Sequence, residues 1–238
     1  MLSTSRITKH RMNNLTAIIL CGGKGIRLRP LTNDIPKPLI NIDNVPILSH
    51  VINHLCKYGI NKFIVATGYQ AAKIEDFMKN SYPDLNYKLI NSGDTDILSR
   101  VKDCIKNIEH DFLLCYGDTI SDINLTNLVK FHKNNSNSVT ISSFPIMIPF
   151  GVMKLDHDNN VLSFSEKPIL QDVMNVGYYY FNKTDFSIIK KHNSIIELLN
   201  ILIKNKRLRC YKHDGIHITI NTLAELEIAN ENIKKIFK

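Results

Sequence analysis

No apolar run in this chain of 238 residues approaches the length that crosses a bilayer, so nothing in it reads as a membrane span. The opening residues, Met1 to Asn14, are polar and basic (Arg6, Lys9, Arg11) and lack the apolar stretch of a secretory signal. They read as a disordered tail, or as an early start, since Met12 offers a second one. Five cysteines are present, but none stands in CxxC or another zinc-ligand spacing. Cys21, Cys56 and Cys115 lie in apolar segments, which points to buried, reduced thiols and a cytoplasmic location. A net charge of +8 raises the question of nucleic acid. The lysines, however, are spread over the whole length, and no aromatic-rich RNA-binding signature accompanies them. Neither nucleic acid nor a membrane is expected as a partner. Internal repeats are absent, and so is any linker long enough to divide the chain.

What is present is ordinary in amount and informative in order. Hydrophobic residues make up 44% and charged residues 22%, the balance of a soluble domain able to bury a sizeable core. From Leu15 to about residue 137, short apolar runs alternate with segments of helical period. Strands are expected at 15–20, 62–67, 87–90 and 112–116, with helices at 47–58, 71–79, 97–106 and 125–133. After residue 137 come successive strands at 139–144, 152–155, 161–164 and 176–181. Two helices, near 188 and over 194–204, precede strands at 208–211 and 217–220 and a last helix over 223–236. The rhythm predicts an α/β fold: a Rossmann-like open mixed sheet flanked by helices, with a strand-rich C-terminal half. One domain over 15–238 is expected, in two halves, 15–137 and 138–238.

The first strand runs into Cys21-Gly-Gly-Lys-Gly-Ile-Arg-Leu-Arg-Pro-Leu-Thr32, and Ile35-Pro-Lys-Pro38 follows. Gly22, Gly23 and Gly25 allow a tight turn and present bare N–H groups, while Lys24, Arg27, Arg29 and Lys37 surround it with cationic donors. Such a loop suits an anionic ligand, and a triphosphate best. It is no Walker loop, because the GxxxxGK[ST] spacing is missing, and no dinucleotide fingerprint, because GxGxxG is absent. Phe112-Leu-Leu-Cys-Tyr-Gly-Asp118 places a carboxylate just past the carboxyl end of a core strand, where open α/β sheets bind ligands. There Asp118 is a hard oxygen ligand for Mg²⁺ shared with a triphosphate, or else a cap for the following segment.

Gly22 to Pro38 resembles the opening motif of the sugar-1-phosphate nucleotidylyltransferases, a strand followed by GGxGxRLxPLT and then Pro-Lys-Pro. The resemblance implies that an NTP and a sugar 1-phosphate are the substrates and Mg²⁺ the cofactor. Pyrophosphate leaves, and the NDP-sugar serves surface polysaccharide synthesis. It assigns Arg27 to the β and γ phosphates, Lys37 to the α phosphate and Asp118 to the metal. Leu20, Gly22, Gly23, Gly25, Ser92, Arg100 and Gly117 belong with the nucleotide. Glu166-Lys-Pro168 and Asn175-Val-Gly177 carry the other substrate. Lys167 meets its phosphate, Glu166 and Asn175 its hydroxyls, and Gly151 and Gly177 complete the pocket. Taken alone, Glu-Lys-Pro is a common hairpin tripeptide.

Asn91 to Val101, with Arg100 in the Arg position, is similar to the Thr-Gly-x-x-Thr-x-x-Gly-Arg stretch of glucose-1-phosphate cytidylyltransferases. Tyr116-Gly-Asp-Thr-Ile-Ser-Asp122 and Tyr211-Lys-His-Asp-Gly215 are similar to further motifs of that group, which makes CTP the first choice. Two departures stand out. Asp96-Ile-Leu-Ser99 replaces the usual glycines. Asn221 stands before Thr222 where the family provides a second metal-binding Asp, and an amide oxygen is a weaker Mg²⁺ ligand. Asn221 is either a second ligand or only a neighbour of the last helix's N-cap. The alternatives are a guanylyl- or uridylyltransferase, an enzyme with an alcohol-phosphate acceptor, and a catalytically weak homologue that binds a nucleotide-sugar and regulates a partner. The resemblance leaves a homo-oligomer open.

Overall fold

In the computed structural model, which describes Met12 and residues 14–236, the run Thr-Ala-Ile-Ile-Leu forms a central strand, β1 (Thr16–Leu20). Its β-branched side chains are buried on both faces, as a parallel strand covered by helices requires, and Leu20 at its end is partly exposed. The hairpin β2 (Asn41–Ile42) and β3 (Val45–Pro46) follows, and then β4 (Lys62–Thr67), β5 (Tyr87–Asn91) and β6 (Phe112–Tyr116). After the short β7 (Thr119–Ser121) come β8 (Val139–Met147), β9 (Val152–Leu155), β10 (Val161–Ser165) and β11 (Ile169–Phe181), with β12 (Leu208–Lys212) and β13 (His217–Thr219) last. The helices are α1 (Leu31–Asp34), α2 (Ile47–Lys57), α3 (Ala71–Ser81), α4 (Ile97–Ile105), α5 (Leu125–Lys133), α6 (Phe186–Lys191), α7 (Ile195–Lys204) and α8 (Leu223–Ile236). Side-chain caps fix four of their starts: Asp96 accepts from the Leu98 and Ser99 amides, Asn124 from Asn127, Ser194 from Glu197 and Thr222 from Glu225.

Seven strands form one mixed sheet in the order β12-β8-β11-β6-β1-β4-β5, the Rossmann-like arrangement expected of the sequence. β6, β1, β4 and β5 run parallel, whereas β11 is antiparallel to both β6 and β8. Alternation along the strands sends side chains to two cores. Ala17, Ile19, Val65 and Leu113 meet α2, α3, α5 and α8; Ile18, Ala66 and Leu114 meet α4, α6 and α7. Each isoleucine, valine or leucine among them contributes about 1.5–3 kcal/mol by leaving water, so this middle layer is closely packed from both faces.

Register then decides what gathers at one edge. Leu20 pairs with Ala66 on one side and Tyr116 on the other, so the loops after β1, β4 and β6 emerge together. β13 pairs with β7 (Thr219 beside Thr119), which carries Asn221 to the same edge as Asp118. β11 runs the opposite way, and its first half continues past this edge alongside the end of β8. With the hairpin β9–β10 it forms an arm whose side chains are almost all exposed.

Three expectations need correction. Cys56 and Cys210 are exposed; only Cys21, Cys104 and Cys115 are buried, and all five are free thiols. Cys56 lies just past Leu55 on the outward side of α2, where an apolar neighbourhood in sequence is no guide to burial. The strand expected at 176–181 begins at Ile169, because its outer half pairs within the arm and not in the core. The tail expected over 1–14 falls mostly outside the described residues, but Met12 is packed in the core. Among the described residues no helix is long and apolar enough to cross a membrane.

Candidate active site

The loop after β1 folds into a single 3₁₀ turn, Ile26–Leu28, entered through Gly25 at φ +61°. That left-handed backbone favours glycine, and a Cβ there would stand 2.9 Å from Thr32 Cγ2. The Thr32 hydroxyl donates to the Gly25 carbonyl at 2.9 Å and ties the turn to α1. Around this loop lies a cleft of ≈ 290 Å³, lined among others by Leu20, Gly23, Lys24, Arg27, Asp118 and Asn221. Arg27 is exposed and makes no ion pair among the described residues. Cys21 also lines the cleft. Burial, reinforced by Asp118, pushes its thiol far above the ordinary range, so it is a wall and not a nucleophile.

Opposite Arg27, Pro36 turns the chain into the 3₁₀ helix Lys37–Leu39 and drives Lys37 inward until it is 7% exposed. Its ammonium lies 2.5 Å from Asp118 Oδ2 and 3.4 Å from Asn221 Oδ1. A buried cation is tolerated here because a carboxylate and an amide oxygen converge on it. Asn221 itself is aimed by α8. Thr222 caps that helix, its hydroxyl accepting from the Glu225 amide, and the Glu225 carboxylate accepts from the Asn221 backbone N–H at 2.5 Å. Asn221 thus directly precedes the N-cap, as one reading had it, and its side-chain oxygen also faces Lys37.

Arg100 is placed differently from expectation. Its guanidinium is buried behind the glycine loop and donates to the backbone carbonyls of Thr67, Gly22, Gly93 and Thr95. A Cβ on Gly22 would lie 2.2 Å from it, so a side chain there would have to displace the guanidinium from its carbonyls. With its donors committed, Arg100 ties two loops to the end of β4 and does not reach into the cleft. Ser92 is joined to the same structure through its amide, which donates to the Thr67 carbonyl at 3.3 Å, and Gly117 through its own amide, which donates to Leu20. Lys24 reaches across the mouth to Asp94 at 2.5 Å, an exposed pair worth little in water.

The second group of expected residues lies on and beside the arm. Gly151, Glu166 and Lys167 are exposed, and Lys167 adopts φ +47°, a strained conformation for a non-glycine residue. The Lys167 amide donates to the Phe150 carbonyl, which closes the turn. Asn175 uses its side-chain oxygen to accept from the Gly177 amide at 3.0 Å and its amide group to donate to Tyr179, whose hydroxyl meets that of Tyr116. Sequence reasoning missed His217 on β13. Its Nδ1 is buried without a hydrogen-bond partner among the described residues, and burial first, then His213, lowers its pKa to about 4 against the pull of Asp118. The pairing of β7 with β13 that puts it there has no local signal in sequence.

Glycine loop, buried lysine and strand-end aspartate thus line one cleft at one sheet edge. A family model described as "Nucleotidyl transferase" matches residues 16–216. The chain belongs to this family and is a nucleotidyltransferase. A probable glucose-1-phosphate cytidylyltransferase of Bacillus subtilis is 30% identical over 245 residues, 91% of this chain and 95% of that protein. A mannose-1-phosphate guanylyltransferase catalytic subunit beta of Drosophila pseudoobscura is 33% identical, over 78% of this chain and 53% of its own length. The bifunctional protein GlmU of Methanococcus aeolicus is 32% identical, over 94% of this chain and 56% of its own length, so this chain spans about half of either protein. Among solved structures, HddC of Yersinia pseudotuberculosis superposes with a TM-score of 0.72 at 25% identity over 92% of this chain and 99% of that one.

Proposed function

We propose that this nucleotidyltransferase moves a nucleotidyl group from an NTP, CTP first among them, to a sugar 1-phosphate and releases pyrophosphate. The observation that carries the proposal is the meeting of Lys37, Asp118 and Asn221 beside the glycine loop and Arg27. The acceptor's phosphate oxygen is already anionic, so no general base is required. It forms a bond to the α-phosphorus as the bond to the bridging oxygen breaks, and the electron pair leaves on pyrophosphate. Catalysis then rests on alignment and on positive charge at the phosphates. Arg27 suits a forked contact with the outer phosphates, and Lys37 acts as a point charge at the reacting one. Glu166, Lys167 and Asn175 take the sugar phosphate.

Mg²⁺ fits this donor set. Two hard oxygens, Asp118 Oδ2 and Asn221 Oδ1, already converge on a cation, the Lys37 ammonium. Among the described residues no cluster of three or more His, Cys, Asp or Glu could cage a metal, so the ion would arrive with the nucleotide's phosphates. Asp118 and Asn221 would hold it, and it would supply further neutralisation of the triphosphate. The choice of CTP is supported by the residue 91–101 segment and by the B. subtilis relative, which matches along nearly its whole length. Guanylyl transfer is the second reading, favoured by the Drosophila relative.

Pyrophosphate release from CTP, GTP, UTP, ATP and dTTP, each with a panel of sugar 1-phosphates, tests the proposal. CTP is expected to give the highest kcat/KM. A purine nucleotide ahead by tenfold, about 1.4 kcal/mol, would overturn the base assignment. Release from no combination would overturn sugar-phosphate transfer itself.

A further inference from the structure

Lysines occur along the whole chain, but its excess of positive charge is concentrated. Residues 183–212 hold eight lysines and arginines against two acidic residues, and so carry six of the eight excess charges. One of those acids, Asp185, is buried and pairs with Arg207 at 2.6 Å. The other, Glu197, accepts the Asn193 backbone amide at 2.8 Å. Lys190, Lys191, Lys204, Lys206 and Arg209 are exposed, and none of them makes an ion pair among the described residues.

Helix α7 runs through the middle of this segment. Its inner face puts Leu198 and Leu202 into the core against the sheet. Its outer face carries Ile196 and Ile203, about two turns apart, at 69% and 59% exposure. Lys190 and Lys191 end α6 just before this apolar stripe, Lys204 and Lys206 follow it, and Arg209 stands on β12, the edge strand of the sheet. One exposed isoleucine on a surface needs no explanation. Two on one helix face, with unpaired lysines at both ends, match the composition of a helix lying in a lipid interface. The lysine stems are long enough to reach headgroup phosphates while the isoleucines enter the acyl boundary.

The chemistry of the surface narrows its partner. Phe186 and Tyr211, the only phenylalanine and tyrosine among residues 183–212, are partly buried, so no exposed ring offers a nucleic acid base a stacking platform. Four of the five exposed cations are lysines, whose mobile point charges suit a diffuse plane of headgroups better than the forked contacts of an acidic protein site. We infer that the outer face of α7, with Lys190, Lys191, Lys204 and Lys206 around it, docks this chain on an anionic phospholipid bilayer. The expectation of no membrane partner rested on the spread of the lysines, which hides where the net charge lies. No helix among the described residues is long and apolar enough to cross a membrane, so the attachment is peripheral and salt-sensitive. None of these residues lines the cleft around Lys37 and Asp118, so the docking surface and the site are separate.

Flotation of the full-length protein with phosphatidylcholine–phosphatidylglycerol vesicles tests the docking without any substrate. The wild type should float with these vesicles at about 0.1 M salt, stay behind at about 0.5 M, and ignore vesicles of phosphatidylcholine alone. Each basic residue near an anionic leaflet strengthens binding about fivefold. Lys190→Gln, Lys204→Gln and Lys206→Gln combined should therefore weaken partitioning by roughly twentyfold or more. The same number of charges removed from the opposite face of the sheet, by Lys57→Gln, Lys79→Gln and Lys130→Gln in α2, α3 and α5, should change it by no more than about threefold. Ile196→Ser with Ile203→Ser leaves the charge intact and should still weaken partitioning about fivefold or more, with far-UV circular dichroism unchanged. A wild type that does not float, or floats equally well with phosphatidylcholine alone, would overturn the inference. So would a control triple variant that loses as much binding as the α6–β12 variant, or an isoleucine variant that loses none. A wild type that ignores the vesicles but binds a single-stranded RNA through the same lysines would overturn it in favour of nucleic acid.

Discussion

Lys37 and Lys167 are both expected to meet phosphate, and the chain treats them in opposite ways. Lys37 is buried, fixed by a one-turn helix and held by Asp118, just past β6 of the parallel sheet, and by Asn221, just past β13. Lys167 stands exposed on a strained turn of the arm, fastened mainly by its backbone. The difference follows from what lies beneath each. β1, β4 and β6 are sandwiched between two apolar cores, whereas the arm has no second layer. Preorganised charge needs a rigid support, because alignment within a fraction of an ångström separates catalysis from mere attraction. The edge above the sheet can supply that alone, and the arm cannot.

The largest effect is expected where the rigid region is broken. Lys37→Ala, or Asp118→Asn, should lower kcat/KM by a hundredfold or more, about 3–4 kcal/mol, with the fold intact by circular dichroism. Near-normal turnover in steady-state pyrophosphate release would remove either residue from the site. Arg100→Leu comes next and acts on stability. It strips donors from four carbonyls, in two loops and at the end of β4, and should cost about 2–4 kcal/mol in urea unfolding. An unchanged unfolding midpoint would show that the loops hold without the guanidinium.

A third test is titration of the packed region. Burial holds His54 neutral with its pKa at about 4 rather than 6.5, while its ring nitrogen bonds the Ile123 carbonyl at 3.0 Å. The unfolded chain takes up that proton more readily, so stability is present above about pH 6.5 and is lost as pH falls towards 4. The loss should approach about 3 kcal/mol, and His54→Gln should flatten it in thermal melts taken across that range. A wild-type melting temperature that does not fall on acidification would contradict this. The smallest effect is expected on the arm: Glu166→Gln should raise KM for the sugar phosphate about tenfold, roughly 1.4 kcal/mol, and leave the nucleotide KM unchanged.

The same contrast explains how much could be read from sequence. Strands 62–67 and 112–116 and the helix 125–133 match their expected bounds because period and apolar content follow directly from a two-sided core. The glycine loop and Asp118 were legible for the same reason, since a motif at a strand end has one place to go. Local pattern is silent where distant segments meet. Nothing near Asn221 announces that β13 pairs with β7, and nothing near Arg100 says that its guanidinium is committed to backbone carbonyls. The outer half of β11 was missed because, with no core face, its side chains follow no burial period. His217 lies in a strand expected at 217–220, and only the pairing that carries it beside β7 has no signal in the sequence.

The central claim is that two differently built regions divide the two substrates, and parallel kinetics on Arg27→Ala and Lys167→Ala test it most directly. Both KM values are to be measured for each variant by pyrophosphate release. Arg27→Ala should raise the NTP KM about tenfold and spare that of the sugar phosphate, and Lys167→Ala should do the reverse. Equal increases in both constants from either substitution would contradict the division and with it the account of the site.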